Sequence, residues 1–336
     1  MPVTIRDLAK KLNLSITTVS RALDGYADVS AETRQRVIQA AEELGYQPSY
    51  IARNLRKRRS GSIGYILPTA LPQFSDPFYT GFLTGLCDES ATRRIDLLVA
   101  SAPPGTRQEQ EQYRRWVLSG RVDGMVLNRI RRQDWRIEFL EAQNLPFSGL
   151  GASLSSARYP RVEVDERGGM ARLTRHLIQK GHRRIAFIGG PAELSLQFER
   201  SGGYRQALQA AGIPTDPLLE VQGDLSEQRG YELALQLLNL PEPPTALIGC
   251  NDLTALGAHR AAVELNLNIG EEIAVAGFDG IPETAFTVPP ITTLAQPTYE
   301  IARRLAGMLI DRINGGLPDA EVVRVEPRLI VRASSG

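Results

Sequence analysis

Residues Thr4–Leu23 read T-I-R-D-L-A-K-K-L-N-L-S-I-T-T-V-S-R-A-L, and their spacing predicts two short helices joined by a tight turn. Ile5, Leu8, Ala9 and Leu12 recur at helical spacing and make one apolar face. Thr4 stands at the N-cap, and Asp7 puts negative charge in the first turn, where the helix dipole favours it. Asn13 tolerates the left-handed conformation of a tight turn, and Ser15 caps the second helix. On that helix Ile16, Val19 and Leu23 are expected to face inward, leaving Thr17, Thr18 and Arg21 outward. Hydroxyls beside an arginine near a helix N-terminus suit a helix that enters a DNA major groove. A plain helical hairpin with a polar surface fits this stretch equally well, so the remainder of the chain decides.

Working outward, Ser30 caps a third helix whose buried stripe is Val37, Ile38, Ala41 and Leu44, and Gly45 ends it. Three short helices close only a small core, so attachment to a larger body is expected. Next comes P-S-Y-I-A-R-N-L-R-K-R-R-S-G, from Pro48 to Gly61. Pro48 suits a helix start, Ile51, Ala52 and Leu55 mark one face, and Arg53, Arg56, Lys57, Arg58 and Arg59 surround it. A helix of about eight residues is not stable in water, so the segment is either a solvated basic linker or folds against a partner. An apolar residue flanked by arginines can wedge into a minor groove while the charges meet phosphates. Residues 1–60 hold eleven Lys and Arg against six Asp and Glu, although the whole chain carries only +1. A basic head on a mildly acidic body directs any polyanion to the head alone.

At 336 residues and 42% hydrophobic content the chain has material for two or three cores. Cys87 and Cys250 stand far apart, which argues against a disulfide framework and for a reducing compartment. Met1 leads straight into a capped, charged helix rather than a signal peptide, and no apolar run approaches the roughly 20 residues that span a bilayer. A cytoplasmic protein is expected.

From Ser62 onward apolar strand-like runs (Ile63–Leu67, Leu97–Ala100, Gly124–Leu127, Arg184–Ile188, Ala246–Gly249, Ile273–Gly277) alternate with amphipathic segments such as Arg172–Gln179, Gly203–Ala211 and Arg229–Leu238. That alternation predicts doubly wound parallel sheets, with chain enough for two, broken near Tyr159–Val162. Ligands in such folds bind outside the carboxyl ends of strands or in a cleft between lobes. Those strand ends carry Asp76, Phe78 and Tyr79 after a Pro-rich loop, Asn128 after Leu127, Asn251-Asp252 after Cys250, and Asp279 after Phe278. Arg200 follows the Gly189-Gly190-Pro191 loop. Carboxylates, amides and an arginine around aromatic faces suit a polyhydroxylated ligand: the polar groups meet hydroxyls and a ring covers the apolar sugar face. Each residue alone also fits a helix N-cap, Asp252 above all.

Catalysis finds no seat in the sequence. Gly149-Leu-Gly151-Ala-Ser-Leu154 lacks the third glycine of a dinucleotide fingerprint, and no P-loop, nucleophile elbow or H-E-x-x-H occurs. His176, His182 and His259 lie in or beside helical patterns and read as surface or capping residues. No metal site, cofactor or catalytic residue is expected, and an oxidoreductase is disfavoured.

The whole chain resembles the lactose/galactose-repressor family of bacterial transcription regulators. The resemblance rests on the opening T-I-R-D-L-A-K-K-L-N-L-S-I-T-T-V-S-R-A-L, then V-S-A-E-T-R-Q-R-V and L-G-Y-Q-P-S-Y-I-A-R-N-L. In the body it rests on H-R-R-I-A-F-I-G-G-P, E-R-S-G-G-Y-R-Q-A-L, N-D-L-T-A-L-G-A, V-A-G-F-D-G and R-L-I-V-R. It implies a helix-turn-helix head over residues 1–46, a hinge over 47–60, and a periplasmic-binding-protein-like α/β body over 61–336. Within the body it implies one subdomain of about 61–160 plus 296–322 and another of about 161–292 plus 323–336. By the same resemblance Thr17, Thr18, Ser20 and Arg21 read operator DNA, with Tyr50, Ala52, Leu55 and Arg56 of the hinge, Leu55 being the minor-groove wedge. Asp76, Phe78, Asn128, Arg200, Asn251 and Asp279 hold a small-molecule effector. The F-S-D-P-F-Y loop and Y-P-R-V-E-V-D point to a sugar-responsive branch. Relatives often carry an aromatic after Gly223-Asp224, where Leu225 stands here, so one stacking surface is absent. With no leucine-heptad tail after Arg332, a homodimer on a pseudo-palindromic operator is the expected state. The alternatives are a purine-type corepressor regulator of the same architecture and, from another class, a sugar-binding transport protein, which has no use for the head.

Leu55→Ala is expected to weaken binding to operator duplex more than binding to random duplex in titrations at one salt concentration. Equal weakening of both would remove the wedge role.

Overall fold

The side chain of Asp7 reaches back to the backbone N–H (2.9 Å) and hydroxyl (2.7 Å) of Thr4, so the first helix, α1 (Ile5–Leu12), starts where the sequence places it. Asn13 follows at φ 53°, and Ser15 accepts from the backbone N–H of Thr18 to open α2 (Ile16–Leu23). Ser30 caps α3 (Ala31–Glu43) in the same way, and Gly45 takes φ 64° beyond its end. The computed structural model describes residues 3–46, 59–68, 76–316 and 321–336, which form two compact units, Met1–Gly61 and Ser62–Gly336.

In the first unit Leu8, Ala9, Val19, Ala22, Val29, Val37, Ala40 and Ala41 make the core. Three expectations about facing change here. Ile16 is 46% and Ile38 43% exposed, whereas Ser20 is buried at 4%. At about 100° per residue the inward arc of α2 centres on Val19, Ala22 and Leu23, which carries Ser20 under and Ile16 out.

The second unit contains two six-stranded sheets. The first runs β11 (Val322–Val325), β5 (Arg161–Val164), β4 (Phe147–Leu150), β3 (Gly124–Leu127), β1 (Ser62–Pro68), β2 (Asp96–Ala102), all parallel. The other runs β12 (Arg328–Ile330), β10 (Thr292–Ala295), β9 (Ala274–Asp279), β8 (Ala246–Gly249), β6 (Ile185–Gly189), β7 (Glu220–Gln222), parallel except for β12. Helices α4 (Pro77–Thr92), α5 (Arg107–Leu118), α6 (Trp135–Ala142) and α11 (Thr298–Ile313) belong with the first sheet. Helices α7 (Glu166–Gln179), α8 (Ser195–Ala210), α9 (Glu227–Leu238) and α10 (Asp252–Glu264) belong with the second.

Each sheet reverses its winding once, between β1 and β3 and between β6 and β8. The loops leaving those four strands diverge to opposite faces and open a crevice, which is where α/β folds hold ligands. Because β5 and β11 both pair into the first sheet, the chain passes between lobes near Asp165, Pro297 and Pro327. The breaks expected at 160 and 322 therefore move a few residues along the chain, past the two strands that the first sheet claims.

Two local features hold the second lobe in register. Gly257 lets α10 lie against α9 so closely that a Cβ there would sit 2.1 Å from the Glu227 carbonyl. Asp252 is fully buried rather than a cap, because Asn251 takes the N-cap position. Its carboxylate accepts from the backbone N–H of Gly280 (2.6 Å) and Ile281 (2.8 Å) and from the Thr293 hydroxyl (2.6 Å). That grip fixes the turn after β9, where Asp279 holds φ 123°, a conformation non-glycine residues rarely adopt. His259, expected as a surface or capping residue, is only 8% exposed.

Gly257→Ala is expected to destabilise the protein by about 1–3 kcal/mol, read as a lower urea midpoint, since the clash is with backbone. Burial pushes the Asp252 carboxyl up to about 6 from 3.8, against its hydrogen bonds, which favour the ionised form. The folded state therefore binds this proton more tightly than the unfolded chain. The associated stability is full below about pH 4 and is lost as pH rises through about 6. Asp252→Asn should flatten the slope of unfolding free energy across that window, and an unchanged slope would place the titration elsewhere.

Candidate functional site

A cavity of about 590 Å³ lies where the two switch points of the second unit face one another. Asp76, Phe78, Asn128, Arg200, Asn251 and Asp279, expected from the sequence, all line it. Their roles in the wall differ.

Asp76 caps α4, accepting from the backbone N–H of Phe78 at 3.0 Å, and faces Arg129 at 3.6 Å. Burial raises its pKa while the guanidinium opposes the shift. Phe78 stacks on Phe82 with centroids 5.8 Å apart and turns its remaining surface to the cavity. Asn128, 1% exposed, donates from Nδ2 to the Tyr65 hydroxyl at 2.6 Å, and its Oδ1 has no partner.

On the opposite wall Arg200 is 3% exposed. Its Nε donates to Glu166 at 2.5 Å, Nη1 donates to the Cys250 carbonyl, and Nη2 lies 3.4 Å from Asp279. The guanidinium rests 3.6 Å above the ring of Phe278. The Asp279 carboxyl is pushed well above the carboxylate range by burial, with Arg200 pulling down and the negative charges of Asp252, Asp76 and Glu166 pushing further up. Asn251 is the residue whose hydrogen-bonding groups are already engaged. Its Oδ1 accepts from Thr254 N–H (3.1 Å) and hydroxyl (2.6 Å), and Nδ2 donates to the Leu225 carbonyl (3.0 Å). It shapes the wall and offers little polarity to a ligand.

Among the further polar residues of the wall that escape the sequence reading, two stand beside the expected carboxyl groups. Arg129, at φ 45°, donates to the Pro68 carbonyl and lies 5.3 Å from the Tyr79 ring, directly beside Asp76. Gln296 donates from Nε2 to Asp279 at 2.8 Å, which leaves its buried Oε1 without a partner. Position relative to strand ends would have suggested both, since Arg129 follows Asn128 and Gln296 follows β10. Leu225 is buried at the expected aromatic position. Aromatic surface comes instead from Phe78 and from Phe198, 45% exposed at the cavity wall with Arg132 4.2 Å over its ring. Among the described residues no group of three His, Cys, Asp or Glu could hold a metal ion.

In the head, Thr17 and Arg21 are exposed, and Thr18 is half-buried with its hydroxyl 2.8 Å from Ser15. The Arg21 guanidinium is held by Asp28 at 2.6 Å and lies 5.1 Å from the Tyr26 ring. Ser20, turned into the core and 3.5 Å from Asp24, has no outward surface with which to read a base. Tyr50, Ala52, Leu55 and Arg56 lie outside the described residues.

Residues 4–49 match the profile of bacterial regulatory proteins, lacI family, and residues 174–335 match that of a periplasmic binding protein-like domain. The chain is 39% identical over 345 residues to the HTH-type transcriptional regulator AglR of Rhizobium meliloti (strain 1021), covering 100% of this chain and 95% of that protein. It is 35% identical to the HTH-type transcriptional repressor CytR of Escherichia coli (strain K12), covering 99% of this chain and 96% of the relative. Among solved structures it is similar to a transcriptional regulator CelR–cellobiose complex, with TM-score 0.75, 31% identity and 99% of each chain covered. It is also similar to the lac repressor dimer bound to operator and the anti-inducer ONPF, with TM-score 0.83, 26% identity, and 100% and 99% covered. Near-complete coverage at these identities, together with the capped helical pair and the two-sheet body, establishes that the chain belongs to the lacI family of bacterial regulatory proteins.

Proposed function

We propose that the protein is a dimeric repressor whose operator affinity is controlled by a sugar, of disaccharide or similar size, bound in the cavity between the two sheets. The observation that carries the effector reading is the polarity of the inner wall. Gln296 Oε1 and Asn128 Oδ1 are buried acceptors without partners, beside the carboxylates of Asp76 and Asp279 and the guanidinium groups of Arg129 and Arg200. The carboxyl, amide and guanidinium groups that line the wall suit a ligand that both donates and accepts hydrogen bonds. Hydroxyl groups do both, while Phe78 and Phe198 offer ring faces for the apolar side of a sugar. The relative solved with cellobiose supports the same class. A purine corepressor presents fewer donors for so many acceptors. A transport protein would have no role for the head. We assign the cavity a binding role and no catalysis.

For the head we propose that α2 enters the major groove with Thr17 and Arg21 foremost, Thr18 lying between them. Reading a pseudo-palindrome takes two heads, hence a homodimer. Phe286 and Val288, 83% and 84% exposed, give the second lobe apolar surface suited to such an interface.

The test is a thermal-shift screen of the full chain against mono- and disaccharides and purines, followed by titration of a duplex recovered by selection from a random pool. A disaccharide that raises the melting temperature and releases the duplex is the expected result. A purine that tightens duplex binding would overturn the inducer reading. Asp279→Ala should keep duplex affinity within about threefold while removing most of the release, a loss of coupling of about 1–3 kcal/mol. A variant still released like the wild type would exclude Asp279 as a ligand contact.

A further inference from the structure

Behind the first-lobe wall of the cavity lie four charged side chains that do not line it: Glu109, Arg131, Asp134 and Arg136. They are 2%, 8%, 1% and 1% exposed. Arg131 donates from Nη2 to both Glu109 oxygens at 3.0 and 2.8 Å, and Arg136 donates to both Asp134 oxygens at 2.8 and 2.6 Å. Glu109 also accepts from the backbone N–H of Gly105 at 2.8 Å and lies 4.0 Å from Arg136. Desolvating such ions costs several kcal/mol each, and a packed apolar cluster is often as stable, so stability alone is a weak account of them.

What the cluster grips is backbone. Arg136 donates to the carbonyls of Asn128 (3.2 Å) and Arg129 (3.0 Å), and Asp134 accepts from the N–H of Arg131 (2.9 Å). The far side of that loop does two things at once. Asn128 and Arg129 line the cavity, and the next residues cross it. Arg131 pairs with Leu194 of the second lobe in an isolated antiparallel bridge. The Arg132 N–H donates to the Glu193 carbonyl at 2.8 Å, and the Ser195 N–H donates to the Ile130 carbonyl at 2.9 Å. The Arg132 guanidinium covers Phe198, and the Ser195 hydroxyl donates to the Ala152 carbonyl at 2.6 Å.

We propose that the cluster positions the Asn128–Arg132 loop for docking of the two lobes. Glu109, one helix removed from cavity and bridge, is the positioning residue that sets how firmly the bridge closes. An effector that engages Asn128 or Arg129 then acts on the same loop that carries the bridge, so occupancy and lobe docking share one element. Only that last consequence rests on the effector reading above.

The experiment is amide-resolved hydrogen exchange on the full chain without effector. Glu109→Gln is expected to speed exchange at Arg132 and Ser195 by about tenfold or more. The amide of Cys250, bonded to the Ile188 carbonyl inside the second sheet, should keep its wild-type rate. The paired variant Glu109→Leu/Arg131→Leu removes both charges, and should melt near the wild type while showing the same fast exchange at Ser195. Unchanged exchange at Ser195 in a folded variant would overturn the proposal. So would equal acceleration at Ser195 and Cys250, or failure of both variants to fold, since each assigns the cluster to general stability. Because no sugar is added, a negative sugar screen leaves this result standing, and an unmoved Ser195 leaves the sugar reading standing.

Discussion

The Arg200 guanidinium is the constraint around which the second lobe and the cavity are arranged. It cannot lose its charge and is almost wholly out of water, so its partners must be brought to it. They come from the start of α7 in Glu166, the end of β8 in the Cys250 carbonyl, and the end of β9 in Asp279, with Phe278 beneath. Glu166, at 2.5 Å, is the carboxylate nearest the guanidinium, and its removal would take away the main compensation of a buried charge, about 3–5 kcal/mol in such pairs. The same set of contacts fixes the spacing of two strand ends and a helix start, and all three form part of the wall.

Asp279 shows how local strain and that charge balance combine. Its φ of 123° is held by the grip of Asp252 on the two following amides, and its carboxylate is shared between Arg200 and Gln296. The turn is therefore over-determined from both sides, which is the condition under which strained backbone persists at binding sites. A rigid acceptor beside rigid donors suits a ligand recognised by the direction of its hydroxyls rather than by bulk.

The first-lobe wall is built differently. Asn128 and Arg129 occupy a loop secured from behind by buried ions and in front by a backbone bridge to the other lobe. The bridge itself, two backbone hydrogen bonds, the Ser195–Ala152 hydrogen bond and one cation–π contact, is small compared with the cores on either side. Small interfaces between rigid lobes are where two arrangements can differ by only a few kcal/mol, the range in which a ligand can shift populations.

The sequence by itself determined whatever local chemistry determines. Caps at Ser15 and Ser30, the left-handed Asn13, the strands at Gly124–Leu127 and Ala246–Gly249, and the polar residues just beyond strand ends all depend on neighbours a few positions away. Because a doubly wound sheet gathers its carboxyl ends at one edge, knowing the strands was enough to gather Asp76 with Asn128 and Asn251 with Asp279, and the packing of the two lobes joins the pairs at one cavity. The tertiary structure alone decided how those residues are used. Asn251 is engaged by Thr254 and Leu225, Ser20 turns inward while Ile16 turns out, and β5 and β11 are claimed by the first sheet. Nothing in the local sequence marks Glu109, Arg131, Asp134 and Arg136 as a group, yet they lie buried together in the fold. Their pairing joins a helix to a loop some twenty residues further on, a relation no periodicity or cap encodes, because it exists only once α5 and the loop after β3 pack against the same sheet.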